Sequence, residues 1–153
     1  MRKLLLTASV IALGAVVTPA SEETEVRVLY DDQALYVAFR VYERDPSLIA
    51  AQLTRRDQSS HSDRVHLIVD SYNDRRTAFH FAVNPLGVKL DLYRYDDTKE
   101  DAGWDAVWDV ATRIDEEGWT AEFRIPLSQL ALLVPAHSHT CSRVLLDATN
   151  FSH

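Results

Sequence analysis

The feature that most constrains this chain is the regular alternation of apolar and polar residues between Thr77 and Pro126. A period of two residues predicts β-strands with one buried face and one solvated face. This stretch accommodates four strands with short polar connections, and three more are predicted before it. The fold class is therefore predicted to be all-β, an antiparallel β-sandwich of jelly-roll type. The seven predicted strands are 25–30, 34–42, 65–70, 77–84, 88–95, 107–114 and 119–125.

The phase of the alternation predicts which side chains are buried. His66 and His80 fall opposite the apolar set of their strands, so both are expected to be exposed to solvent. The residues predicted to face inward from the strands 77–84 and 88–95 are Phe79, Phe81, Val83, Val88, Leu90 and Leu92.

The first twenty residues have the parts of a secretory signal peptide. Arg2 and Lys3 make a positive start, and residues 18–20 supply small side chains for cleavage. The apolar run between them, about 14 residues, is shorter than a membrane helix requires, which makes a retained anchor the less favoured alternative. We therefore expect an exported chain, periplasmic or extracellular, whose mature form does not insert into a membrane.

Charge and cysteine content narrow the class of partner. Without Arg2 and Lys3 the chain has 14 basic residues against 23 acidic ones. Nucleic acids and anionic membrane surfaces are disfavoured, because both require a basic surface. A neutral ligand such as a glycan is compatible with this balance.

The single cysteine, Cys141, excludes an internal disulfide.

Three tryptophans could stack on the apolar faces of sugar rings. Trp108 and Trp119 alternate with apolar neighbours, which favours a place in the core. Trp104 lies in a polar loop, residues 100–105, which overlaps the predicted acidic loop 96–103, and nothing there obliges it to be buried. It is either an exposed binding residue or a ring folded down on the edge of the sandwich, and the sequence leaves both alternatives open.

Polar side chains close to Trp104 in sequence are candidates for hydrogen bonds to a ligand. Asp101 and Asp105 flank Trp104, and Arg75 offers a guanidinium group from a predicted turn. The arginine pairs 55–56 and 75–76 also lie beside aspartates, and ion pairs that pin loops are the more common role of such pairs.

Metal binding is a weaker prediction. Asp96, Asp97 and Asp101 lie in one acidic loop and could bind calcium through carboxylate oxygens, although their spacing matches no EF-hand and a solvated loop is the alternative. Two other sets are Asp70 with Asp74, as a second calcium site, and His137, His139 and Cys141, as ligands of a softer metal.

No catalytic set is evident in the sequence. A glycosidase needs two carboxyl groups about 5 to 9 Å apart across a cleft. Pairs such as Asp105 with Glu122 exist, but their context does not mark them out. Nucleophile elbows and phosphate-binding glycine loops are not found either. The chain is therefore not expected to be an enzyme.

Six short motifs together carry a family resemblance. They are Tyr30 to Val37, Arg55 to Asp57, Asp70 to Phe79, Val83 to Val88, Trp104 to Trp108 and Gly118 to Pro126. As a set they resemble the family 9 carbohydrate-binding module over roughly residues 24–130. The closest resemblance is to the version at the amino terminus of large exported bacterial proteins of unknown function.

The resemblance implies a β-sandwich that binds a polysaccharide or oligosaccharide without hydrolysing it. Such modules are often attached to xylan-degrading or related glycoside hydrolases, clamp a sugar between tryptophans and carry structural calcium. Trp104 is the residue here that could stack on a sugar. A structural or interaction domain without a sugar site is one alternative, and a fragment of a glycoside hydrolase is another.

The chain departs from the family pattern at both ends. Members usually have a strand with Asp-Gly and Trp before the segment that begins here at Glu25, and further strands after Pro126. Residues 131–153 do not resemble that continuation and form an atypical tail, as in a frame-shifted product. This tail is expected to be poorly ordered or a loosely attached strand, so the sandwich is expected to be incomplete at both ends.

Overall fold

The fold is an antiparallel β-sandwich of two sheets, which confirms the predicted class. A computed structural model describes residues 23–96 and 99–130, together with the backbone of 143–149. Two short 3-10 turns also occur, at Pro46–Leu48 and Leu127–Leu130. The strands of the described residues are β1 (Thr24–Tyr30), β2 (Ala34–Tyr42), β3 (Arg64–Asp70), β4 (Ala78–Val83), β5 (Lys89–Tyr95), β6 (Lys99–Asp101), β7 (Asp109–Asp115), β8 (Gly118–Pro126) and β9 (Arg143–Thr149).

The strands divide into sheet A, in the order β1-β2-β8-β7, and sheet B, in the order β6-β5-β4-β3-β9. Every neighbouring pair is antiparallel. The β1–β2 hairpin is closed by Asp31, whose Oδ1 accepts hydrogen bonds from the backbone amides of Gln33 and Ala34, both at 2.9 Å. An aspartate suits this position because its side chain can bond the backbone of its own turn.

The core lies between the two sheets. Phe39 of β2 packs against Phe123 of β8 with ring centroids 5.5 Å apart, and Phe123 stacks on Trp108 at 5.3 Å. Trp108 and Trp119 are 2% and 1% exposed, which confirms that both belong to the core. Burying a phenylalanine such as Phe39 or Phe123 contributes about 1.5–3 kcal/mol to folding.

The inward residues of β4 are as predicted, but those of β5 are not. The register places Asp91 opposite Phe81 and Tyr93 opposite Phe79, so these two β5 residues share the inner face with the phenylalanines. The prediction that Val88, Leu90 and Leu92 face inward was wrong. The predicted inward set of β5 is shifted by one residue from the observed set, and a shift of one residue exchanges the two faces of a strand.

The predicted exposure of His66 and His80 was also wrong. His80 is 5% exposed and His66 is half-buried. The Nδ1 of His66 lies 2.9 Å from the Nε2 of His80. Burial, reinforced by the nearby His66 and Arg94, lowers the pKa of His80 to about 3, so His80 is neutral at physiological pH.

The prediction that 96–103 is entirely loop was wrong, and the tail contains one further strand. The predicted loop 96–103 contains β6, which pairs with β5. The tail contributes β9, which pairs with β3 over seven residues and so follows the strand alternative for this tail. The signal peptide over residues 1–20 and the set of His137, His139 and Cys141 lie outside the described residues, where they stay predictions. The described part of the chain has no helix long and apolar enough for a membrane crossing.

Candidate functional site

Part of the inner face of sheet B is open to solvent, at the edge that β5 and β6 form. The register places Phe79 opposite Tyr93 and Tyr93 opposite Asp101, so these side chains share one face. Phe79 is buried, Tyr93 is half-buried and Asp101 is exposed. Burial therefore decreases from β4 to β6, and a ligand can reach this edge.

Aromatic rings cover this accessible edge. The ring of Trp104 packs on Phe79 with centroids 5.0 Å apart, and Tyr93 packs on Phe79 at 5.2 Å. Tyr95 stacks on Tyr93 at 6.0 Å, with the ring planes 17° apart. Tyr72, from the turn between β3 and β4, is 54% exposed and lies 6.3 Å from Phe79. We call Tyr72, Tyr93, Tyr95 and Trp104 the aromatic platform.

Trp104 combines the two alternatives left open by its sequence. Its ring meets Phe81 edge-on, with centroids 5.7 Å apart, in addition to its contact with Phe79. The residue nevertheless remains half-buried and not fully enclosed. The ring thus packs on the core, while the residue as a whole keeps some exposed surface.

The segment after Trp104 is held by a buried carboxylate, Asp91, whose side chain has no exposed surface. Its Oδ1 accepts hydrogen bonds from the Nε and Nη2 of Arg56, at 3.1 and 2.5 Å, and from the Nε1 of Trp108, at 3.3 Å. Its Oδ2 accepts from the amide of Ala106, at 2.6 Å. Arg56 also donates to the carbonyl of Ala106. We call Arg56, Asp91, Ala106 and Trp108 the Asp91 cluster.

Arg56 links the Asp91 cluster to acidic groups nearer the surface. Its Nη2 lies 2.6 Å from Asp105, and its Nε lies 3.5 Å from Asp57. Burial by itself lowers the pKa of Arg56. The hydrogen bond to Asp91 and the negative charge of that carboxylate raise the pKa by more, so the net shift is upward. Arg56 therefore stays charged, and Asp105, 73% exposed, remains an accessible acceptor beside Trp104.

The loop that carries Arg56 lies along the free part of the β5 edge. Asp57 donates its amide to the carbonyl of Lys89 at 3.1 Å, and its Oδ1 accepts from the amide of Asp91 at 3.0 Å. Lys89 donates from Nζ to the carbonyl of Trp108 and lies 4.9 Å from the centre of that ring. These bonds satisfy backbone groups that an adjacent strand would otherwise take.

The structure brings most of the predicted ligand-binding residues to one region. Trp104 and Asp101 lie at the platform, and Asp105 lies beside Arg56. Arg75 is exposed in the β3–β4 turn with φ of 59°, and its amide donates to Asp70 at 3.0 Å. The same turn carries Tyr72 of the platform, so Arg75 borders this region.

The calcium candidates have other partners. Asp96 pairs with Lys99 at 3.1 Å and with Arg76 at 3.4 Å, and Asp101 accepts from the amide of Gly103 at 2.9 Å. Asp97 lies outside the described residues. Within the described ranges, no three histidine, cysteine or acidic side chains are grouped so that they could hold a metal. Calcium binding stays a prediction.

The second calcium candidate serves its own turn. Asp70 accepts from the amides of Asp74 and Arg75. Asp74 accepts from the amides of Arg76 and Thr77, both at 2.8 Å, and these bonds lower the pKa of Asp74. The carboxylates thus stabilise the turn between β3 and β4.

The carboxyl pair named from the sequence does not form a cleft. Glu122 pairs with Ala38 and Ala111 on the outer face of sheet A. Asp105 lies beside Arg56 and the buried Asp91, on the inner side of sheet B. Two acids on different faces of a sandwich cannot act on one glycosidic bond.

Sequence reasoning did not identify Tyr93, Tyr95 or Asp91 as site residues. Their common signal is the alternation Asp91, Tyr93, Tyr95 along β5, which competes with the apolar alternation of Leu90 and Leu92. Two tyrosines two residues apart next to a loop tryptophan would have indicated the platform.

Comparisons with known proteins identify the family and the fold. The sequence model of the family described as "Carbohydrate family 9 binding domain-like" matches residues 3–151. A solved family 9 module from Caldicellulosiruptor kristjanssonii, in complex with cellotriose, has 25% identity and a TM-score of 0.51 over 72% of this chain and 52% of its own length. This chain therefore spans about half of that module. A family 9 module from the same organism in complex with glucose is 22% identical with a TM-score of 0.49, over 80% of this chain and 66% of its own. No curated protein matches the chain.

Proposed function

This chain belongs to the carbohydrate family 9 binding domain-like proteins, and we propose that it binds a neutral glycan on the aromatic platform without cleaving it. The observation that carries the proposal is the group of partly exposed rings on one edge of sheet B: Tyr93, Tyr95 and Trp104 beside the buried Phe79.

The chemistry of the platform suits a sugar ring. Aromatic faces stack on the apolar C–H faces of pyranoses, and rings already packed on a core lose little conformational entropy when they bind. Asp101 and Asp105 are exposed beside Trp104 and can accept hydrogen bonds from hydroxyl groups. The acidic balance of the chain makes a neutral glycan the better ligand than an anionic one.

The Asp91 cluster supports the platform from below. Its bonds fix residues 105–108, and Trp104 immediately precedes them. A residue held in one position before the ligand arrives binds with a smaller entropic cost. We expect a modest affinity, from roughly millimolar to micromolar, or about −4 to −8 kcal/mol.

The proposed ligand class is a β-linked oligosaccharide or polysaccharide. The solved family 9 module with cellotriose supports a glucan, and the family resemblance supports a xylan. We propose that the chain is exported, as the sequence of residues 1–20 indicates, and that it assists xylan-like polysaccharide catabolism as a module associated with a glycoside hydrolase.

Fluorescence gives a direct test, because Trp108 and Trp119 are buried and Trp104 is the partly exposed member of the three tryptophans. Binding of cello- or xylo-oligosaccharides is expected to shift the emission and to protect Trp104 from acrylamide. Trp104→Ala should abolish this signal and the calorimetric heat of binding at the platform. Val107→Ala, in the same loop and 75% exposed, is the control and should bind as the parent does.

A scaffold without a sugar site is the second candidate, favoured by the contacts of Trp104 with Phe79 and Phe81. In that case Trp104→Ala would destabilise the fold, and no oligosaccharide would release heat or change the emission of the parent. This result would remove the glycan proposal.

A further inference from the structure

We propose a second glycan-binding site, on the outer face of sheet A, which extends the proposed function and rests on it. A cavity of about 760 Å³ lies on this face. The platform is on the inner face of sheet B, so the two sites are separate. The residues that line the cavity and carry the proposal are Arg27, Tyr36, Ala38, Glu122, Arg124 and Ala111.

The register explains why a groove forms here. Arg27 pairs with Ala38, Ala38 with Glu122, and Glu122 with Ala111, so these four residues form one row across all four strands. Two of the four are alanines, Ala38 and Ala111, whose short side chains leave the row low on β2 and β7. We call this row and its walls the sheet A groove.

The adjoining row provides a higher wall. Tyr36 pairs with Arg124, and Arg124 pairs with Asp109, so a ring, a guanidinium and a carboxylate stand side by side. The hydroxyl of Tyr36 donates to Asp31 at 3.2 Å, which fixes the ring. Arg124 is only loosely paired with Asp109, at 3.5 Å, and can donate to a ligand as well.

The shape of the groove favours a chain-like ligand. Four strands about 4.8 Å apart make the row about 14 Å long, which suits an oligosaccharide better than an ion or a monosaccharide. The cavity volume lies in the range that binding sites for small organic ligands occupy.

The charges favour a neutral, hydroxylated ligand. Arg27 and Arg124 are donors, while Glu122, Asp109 and Asp31 are acceptors, so groups of both signs line the cavity. The Glu122 carboxylate is exposed and has no hydrogen bond or ion pair within the described part of the chain. Hydroxyl groups can both donate and accept, so they match this mixture, whereas a charged ligand would meet repulsion from one sign.

A second site would make the module bivalent on a polymer. When one site is occupied, the other meets the same glycan at a high effective concentration, which raises the apparent affinity without any new contact. The consequence is strong binding to an insoluble polysaccharide and weak binding to a short oligosaccharide.

The test fills the groove without touching the platform. Ala38→Gln combined with Ala111→Gln adds side chains to its floor, and Glu122→Ala removes the free acceptor without a change of packing. Ser128→Gln, at an exposed position outside the groove, is the size-matched control. Melting curves establish that each variant is folded, and Glu122→Ala keeps the test valid if the double variant is not.

Calorimetry with cellotetraose and xylotetraose should give a stoichiometry of two for the parent. It should give one for the groove variants and one for Trp104→Ala. In depletion experiments on insoluble cellulose and xylan, the groove variants should have an apparent affinity at least tenfold weaker than that of the parent. The affinity of Ser128→Gln should equal that of the parent.

The outcomes separate this proposal from the platform. A stoichiometry of one that Trp104→Ala abolishes and the groove variants leave intact would overturn the second site and keep the platform. A single site lost in the groove variants and kept in Trp104→Ala would establish glycan binding in the groove and overturn the platform. No binding of either sugar would overturn both.

Discussion

Replacing Asp91 by asparagine keeps the shape of a buried side chain and removes its charge. The amide can still accept through its oxygen, but its NH2 group must face Ala106 N–H or the donors of Arg56 and Trp108. The loss of one charge-assisted hydrogen bond destabilises the fold by about 1.5–3 kcal/mol. At least one buried donor is then left without an acceptor, which costs about 1–3 kcal/mol more. We expect the free energy of unfolding to fall by about 3–5 kcal/mol.

Asp105→Asn is the matched control, because Asp105 pairs with the same Arg56 but is 73% exposed. An ion pair in contact with water contributes about 1 kcal/mol or less. Urea denaturation followed by far-ultraviolet circular dichroism measures both variants, and the linear extrapolation gives each free energy of unfolding. If the two variants differ by less than about 1 kcal/mol, burial does not determine the role of Asp91 and the reasoning fails.

Three further changes test other parts of the fold. Because the pKa of His80 is lowered to about 3, unfolded chains take up a proton that the folded protein does not, so stability should fall by up to about 1.4 kcal/mol per unit as the pH drops from 6.5 towards 3. Midpoints of urea unfolding that stay constant across this pH range would contradict the predicted loss of stability. Gly118→Ala should cost about 2–4 kcal/mol, since φ is 135° and a Cβ would lie 2.1 Å from a backbone oxygen of β2; Gly103→Ala, at an exposed position, is the milder control in the same melting assay. Hydrogen bonds from Arg40 lower the pKa of Asp115 to about 2, so an NMR titration should place its midpoint well below that of Asp115 in Arg40→Gln, and equal midpoints would refute the pairing.

The predicted strands follow directly from the alternation, and most of them are confirmed. β2, for example, has the predicted bounds Ala34–Tyr42. Local patterning is sufficient here because each strand has one apolar face, and the turn residues between strands, such as Asp31, act within a few residues. The resemblance to the carbohydrate-binding family is likewise confirmed by the match over residues 3–151.

The site was less predictable because its parts meet only through tertiary contacts. Asp91 is a charged residue on the inner face of a strand, and nothing local shows that Arg56, 35 positions away, satisfies it. The apolar Leu90 and Leu92 made the wrong phase of β5 the more plausible one, and the tyrosines of the platform were lost with it. Trp104 was identified because a large ring in a polar loop is unusual by itself.

The order of strands in sheet A has a consequence for how the chain folds. β2 and β8 pair along nine residues, although more than seventy positions separate them in the chain. Contacts between distant segments require a long loop to close before they yield any stabilisation, and such topologies fold in about milliseconds to seconds. The β1–β2 hairpin therefore keeps one edge unpaired until Gly118–Pro126 docks on β2. Until then that edge of β2 can pair with strands of other chains, which is a route to aggregation.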